Sequence, residues 1–235
     1  MTSTRVSRVF QVLSLVAFSP APVKLKEIGQ KLDLHPSMVS RIVAELIAAG
    51  LITKCAYRSV IGTPALAVLG SAAGRNHPLT AISRRVLHPF LSENPLSCEF
   101  AAASPMGLWH FYKVTRETPP PAPLWRSDLA AVIFAASNLS WEELLETLDK
   151  SAPPEIDRTF APFKERFLEA QQTRYLINFH AGRYRQITVP VFCGDLVCAL
   201  SVSGNIPDQE EIFLQCSRLG TKIRSLYDSC TDSDA

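Results

Sequence analysis

The stretch KEIGQKLDLHPSMVSRIVAELIAAGLI, residues 26–52, decides how the N-terminal part of this chain folds. Leu25, Ile28, Gly29 and Leu32 recur at helical spacing and define a short helix with one apolar face. Asp33-Leu34-His35 reads as a turn, and Pro36 suits the first position of a second helix, where its missing N–H would find no partner anyway. Val39, Ile42, Val43 and Leu46 form the buried stripe of that second helix, and Gly50 fits a left-handed C-cap just past its last turn. Gly29 leaves room for the two helices to cross closely, while Leu32 and Val39 pin them through the turn. Downstream, Leu51 to Cys55 and Arg58 to Ile61 read as two short strands around Ala56-Tyr57. Upstream, Val6, Val9, Phe10, Leu13, Val16 and Ala17 make a further amphipathic helix from Thr4, stopped by Ser19-Pro20-Ala21-Pro22. Helix, tight turn, helix and hairpin in this order predict a winged helix-turn-helix.

That pattern carries a chemical expectation. With its apolar stripe turned inward, the second helix leaves Ser37, Met38, Ser40, Arg41, Ala44 and Glu45 outside, and such a helix enters the major groove with its first turns leading. Pro36, Ser37, Met38 and Ser40 therefore become candidate DNA contacts, and Arg41 the residue to reach a guanine or a phosphate. Lys54, Tyr57 and Arg58 fall at the hairpin tip, and Lys24 and Lys26 at the opening of the first helix of the pair, placed to meet backbone phosphates. Charge follows the same division. Residues 1–60 carry Arg5, Arg8, Lys24, Lys26, Lys31, Arg41, Lys54 and Arg58 against Glu27, Asp33 and Glu45, so the remainder of a chain of net charge +2 is mildly acidic.

Beyond Glu93 the texture changes. Cys98 to Ala103 and Leu108 to Val114 read as paired strands around Ser104-Pro105-Met106-Gly107, followed by a stiff, proline-rich segment from Thr118 to Pro123. Helices are expected at Asp128 to Ser137, from Ser140 (with Glu143 completing a capping box) and at Phe160 to Gln172. Strands follow at Tyr175 to Phe179, Tyr184 to Phe192 and Leu196 to Val202, and Asp208 to Leu226 closes the chain as a helix. Pro64 to Gly74 reads as a further helix, and Leu79 to Leu91 as the one that connects the two parts. No apolar run approaches the roughly 20 residues of a membrane span, and the expectation is a cytoplasmic protein. Six cysteines without a CxxC pair suit reduced, mostly buried thiols, with Cys98 a core residue. The five histidines lack metal-ligand spacing, and no GxSxG, HExxH, P-loop or dinucleotide fingerprint occurs. No metal, cofactor or catalytic residue is expected.

Residues 26–52, taken with Ile187-Thr188-Val189-Pro190-Val191-Phe192 and Ala199-Leu200-Ser201-Val202-Ser203-Gly204, resemble the IclR family of bacterial transcriptional regulators. The resemblance implies an α+β protein: an N-terminal winged helix-turn-helix domain (1–76), a linker helix (77–94), a GAF-like α/β effector domain (95–230) and a polar tail (231–235). It also implies a double-stranded DNA operator, a small-molecule effector, and assembly as a homodimer or dimer of dimers. The strand serines of the family's pocket match Ser201 and Ser203, two apart and so on one side of a strand. Arg126, Asp128, Leu129 and Gln186 complete the expected pocket. The chain departs from the family where Trp125, Arg126 and Asp128 replace small residues, and where Asn178 to Arg183 replaces an acidic, glycine-bearing loop. Arg126, Arg183 and Arg185 could then serve an organic acid through paired N–H contacts. The alternative is a C-terminal part that has lost its ligand and serves oligomerisation or protein interaction, with Pro119-Pro120-Pro121 and Pro123 as a docking segment.

Overall fold

The computed structural model describes residues 5–104, 107–116, 124–151, 159–179 and 184–232. The proline run at 119–121 and Pro123, the turn residues Pro105 and Met106, and Arg183 with the loop around it lie outside them. The chain divides into two compact units, Met1–Arg75 and Asn76–Ala235.

The first unit contains α1 (Arg5–Ala17), β1 (Val23–Lys24), α2 (Leu25–Leu32), α3 (Pro36–Ala48), β2 (Ile52–Cys55), β3 (Ser59–Gly62) and α4 (Pro64–Asn76). Asp33 ends α2 in the left-handed region, its N–H returned to the Gly29 carbonyl. A Cβ on Gly29 would stand 3.0 Å from the Leu34 carbonyl oxygen and 3.6 Å from Val39 Cγ2, which is why the crossing needs glycine there. The His35 ring caps α3 by accepting the Ser37 N–H, Pro36 occupies the first turn, and Gly50 follows the last turn at φ +71. Val12, Val16, Ile28, Val39, Ile42, Val43, Leu46, Ile52 and Val60 close one core. The sheet has three strands in the order β1-β3-β2, one more than the sequence pattern suggests. Two residues are too few to show a period of two, but Val23 pairs with Val60 and Lys24 with Ser59, tying the entrance of α2 to the hairpin.

The second unit contains α5 (Pro78–Glu93), β4 (Ser97–Ser104), β5 (Gly107–Val114), a 3₁₀ turn (Leu124–Arg126), α6 (Asp128–Ala136), α7 (Trp141–Ser151), α8 (Ala161–Thr173), β6 (Leu176–Phe179), β7 (Tyr184–Cys193), β8 (Leu196–Asn205) and α9 (Gln209–Asp232). Its sheet is antiparallel throughout, in the order β5-β4-β8-β7-β6. Alternation along the strands gives it two apolar faces. Cys98, Phe100, Ile187, Val189, Val191, Leu200 and Val202 face α5 and α9, and Ala101, Leu176 and Ala199 face α6 and α8. The helix expected as a linker, α5, thus packs on the sheet and belongs to the second unit. All nine residues of α6 are buried, and Ser127 caps it by accepting the Ala130 N–H at 3.3 Å. The expected capping box of α7 is present, Ser140 and Glu143 each accepting the other's backbone N–H at 3.2 and 2.9 Å. The closing helix α9 continues to Asp232, past Leu226, with Arg224 and Asp228 paired one turn apart at 3.5 Å.

The edge of this sheet at β5 is irregular. The β4–β5 register steps from Phe100↔Tyr112 to Ala101↔His110, so Phe111 is the extra residue of a bulge. His77 alone separates α4 from α5; its Nδ1 accepts the Leu79 N–H at 3.2 Å, and its ring packs on Phe111 and Trp109 with centroids 4.8 and 5.6 Å away.

Candidate nucleic-acid interface and ligand-binding face

On α3 the inward stripe is Val39, Ile42, Val43 and Leu46, and Pro36, Ser37, Ser40, Arg41, Ala44 and Glu45 are exposed. Met38 differs: it is half-buried against the core, and its Sδ accepts a hydrogen bond from Arg8 Nη1 at 3.1 Å. Arg41 reaches back to Glu45, Nε to Oε1 at 3.5 Å, and Arg5 from α1 bonds the same carboxylate. The sequence marks neither Arg5 nor Arg8 as a candidate, because their partners lie 40 and 30 residues away. At the hairpin tip Tyr57 is 91% exposed, and Tyr57 and Arg58 both adopt positive φ, 58° and 55°, where glycine is usual. Lys54 and Arg58 are exposed, as are Lys24 and Lys26. The Leu25 N–H donates to the Arg58 carbonyl at 3.2 Å, which fixes the start of α2 beside the hairpin loop. Lys24, the residue before Leu25, is thereby brought alongside Arg58.

The second unit assembles a polar group on the α6 side of its sheet. Ser201 is buried, and its Oγ takes hydrogen bonds from Gln186 Nε2 and Thr188 Oγ1, both at 3.0 Å. Ser203 shares that face of β8, in register with Gln186 and Ser97. Glu99 lies opposite Ser201 on β4, with Lys113 Nζ at 2.7 Å and His110 Nε2 at 3.6 Å. Burial pushes the Glu99 carboxyl pKa up, and the contacts with His110 and Lys113 outweigh that, holding it below the usual carboxylate range.

Above this patch Asp128 opens α6 as a buried carboxylate, 6% exposed, met by Arg166 Nη1 at 3.1 Å and Asn178 Nδ2 at 2.5 Å. Arg166 also donates to the carbonyls of Trp125 and Arg126, each at 3.3 Å. Two donors there, Trp125 Nε1 and Arg166 Nε, are buried without a partner among the described residues. Leu129 is buried in the core below. Of the arginines expected to meet an acid, Arg126 is exposed and contributes its carbonyl, and Arg185 stacks over Phe179 at 5.5 Å. Arg166, Asn178 and Thr188 are not candidates by sequence; Arg166 sits 38 residues from Asp128 on an ordinary amphipathic helix, with no local signal to mark it.

The IclR helix-turn-helix domain family matches residues 5–54. No curated protein sequence matches. Among solved structures, an IclR family transcriptional regulator from Brucella abortus is similar over 97% of this chain and 92% of its own, at 17% identity and a TM-score of 0.67. A candidate IclR regulator from Silicibacter sp. TM1040 is similar over 95% and 96%, at 16% identity and a TM-score of 0.66. An IclR homologue from Microbacterium hydrocarbonoxydans, solved with 4-hydroxybenzoate, is similar over 96% and 100%, at 17% identity and a TM-score of 0.53. At these identities the likeness is one of fold, and it extends over both units. Among the described residues no helix is long and apolar enough to cross a membrane.

Proposed function

From an IclR-family helix-turn-helix domain at residues 5–54, within a chain of IclR-type fold, we propose a DNA-binding transcriptional regulator whose operator binding responds to a small molecule. The observation that carries the reading is α3 itself. Its four large apolar residues are inward, and Ser37, Ser40 and Arg41 stand exposed, with Pro36 exposed at the start of the helix. In this reading Arg41 contacts a base edge, with Pro36, Ser37 and Ser40 beside it and Met38 supporting the helix from the half-buried side. Lys24, Lys26, Lys54, Tyr57 and Arg58 hold the DNA backbone. Exposed Val6 and Phe10 on α1 support pairing of two copies, as a homodimer or dimer of dimers, acting in the cytoplasm.

The effector site we assign to the α6 side of the sheet, with Ser201, Ser203, Gln186, Asp128, Leu129 and the backbone at Arg126. Its unpartnered donors, Trp125 Nε1 and Arg166 Nε, favour a ligand that brings acceptors, and an organic acid does so. The 4-hydroxybenzoate bound by the Microbacterium homologue is a molecule of that class.

The test is the affinity of the full chain for its own upstream intergenic DNA, against scrambled DNA, across a salt series with and without 4-hydroxybenzoate. Preference for the native sequence with a steep salt dependence is the expected result. Arg41→Ala should cost about 1–3 kcal/mol on the native sequence alone, whereas Lys24→Ala should weaken both DNAs alike. Equal, weak binding to both DNAs would overturn the regulator reading.

A further inference from the structure

The opposite face of the sheet carries a cleft that the effector reading does not use. It lies between α5 and the edge strand β5, holds about 360 Å³, and is lined by Arg84, His88, Phe111, Tyr112, Lys113 and Val114. A volume of this order falls at the low end of the roughly 300–1,000 Å³ of small-molecule sites.

Three observations make it more than a surface dent. In a regular strand, Phe111 and Tyr112 would point to opposite faces. The bulge turns both toward the α5 side, where they are 5% and 8% exposed within the same core. The Tyr112 hydroxyl is buried there with no hydrogen-bond partner among the described residues, a state that proteins rarely leave uncompensated. Finally, Arg84 and His88 stand one turn apart on α5, both exposed, and neither forms an ion pair with a described residue. Arg84 lies near enough to Tyr112 for its charge to oppose the upward push that burial gives the phenol. Lys113, by contrast, is committed to Glu99 at 2.7 Å. Phe111 and Val114 supply an apolar wall.

We propose that this cleft is a second ligand site, for a small organic anion whose carboxylate meets Arg84 and His88 while its apolar body lies on Phe111 and Val114, within reach of the Tyr112 hydroxyl. It shares no residue with the site proposed on the α6 side.

Benzoate is the probe, titrated calorimetrically into the full chain, with benzyl alcohol as its uncharged counterpart. Saturable binding of benzoate and none of benzyl alcohol is expected. Arg84→Gln should weaken it about tenfold, the loss of one charge-assisted contact. Tyr112→Phe should weaken it severalfold. Arg84 and His88 are exposed, so their variants should keep the parent melting temperature. A two-site isotherm that Arg84→Gln reduces to one site supports the proposal equally. It is overturned by the absence of saturation, by binding that Arg84→Gln and His88→Gln leave intact, or by binding lost only with Ser201→Ala, which would put benzoate on the other face. None of these outcomes depends on whether the chain binds DNA.

Discussion

Glu45 holds two guanidinium groups at once, Arg5 from α1 and Arg41 on its own helix. Exposed ion pairs of this kind contribute about 0–1 kcal/mol each, so the carboxylate matters more for what its charge does on the outward face of α3. Glu45→Gln should leave fold stability within about 1 kcal/mol and tighten DNA binding with a steeper salt dependence, because one repelling charge disappears and two cations are released. Weaker binding in a salt titration would mean instead that Glu45 aims Arg41 at its base. His77 gives a second prediction at this scale. Burial lowers its pKa from the ordinary 6.5, and its unprotonated Nδ1 accepts the Leu79 N–H. With the folded-state pKa below the unfolded one, the contribution is fully present above about pH 6.5 and is lost as pH falls through the folded value. The melting temperature should therefore drop on acidification below pH 6.5, and His77→Asn, which keeps a capping acceptor, should flatten that drop. What the sequence makes legible at this scale is the local part. Ser201 and Gln186, both expected from sequence, do meet, whereas Arg166 is invisible there because its partner is remote in the chain.

Elements are most legible where a chemical signal sits at their ends. The capping box of α7 is spelled out by Ser140 and Glu143, and Ser140→Ala should cost about 1 kcal/mol in chemical denaturation, with fraying confined to that helix. A loss well above that would mean that Ser140 also supports α8. The two helices of the DNA-binding motif are equally plain, because proline, glycine and a four-residue apolar stripe mark their limits. Two features escape a sequence reading for different reasons. β1 is too short to show alternation, and exists only because β3 offers it partners. The bulge at Phe111 is hidden because Leu108 to Val114 is apolar enough to suit a regular strand in either register; only pairing with β4 reveals the extra residue.

At the scale of the molecule, the two units close separate cores, and that of the second is split by its sheet. Order and spacing of elements make this division legible from sequence, while the faces on which side chains gather depend on strand register, which no single-chain pattern states. Four cysteines, Cys98, Cys193, Cys198 and Cys216, lie fully buried on the α5–α9 side, and burial lifts the Cys216 thiol to about 12. Cys230 is exposed and Cys55 partly so. A thiol reagent at neutral pH should therefore label Cys230 readily and Cys55 partially in the native protein, and the other four only as denaturant opens the second unit. Rapid labelling of all six would show that α9 separates from the sheet under native conditions. The second unit opens on Asn76, and its first helix is set by His77 and Pro78. Proline fixes its own φ and disfavours helical ψ at the residue before it, and His77 sits at φ −71 and ψ 129. Helical backbone is accordingly interrupted at His77, between the end of α4 and the start of α5. One imidazole-bearing residue thus does two jobs within the second unit: its backbone starts α5, and its ring rests on the bulged Phe111.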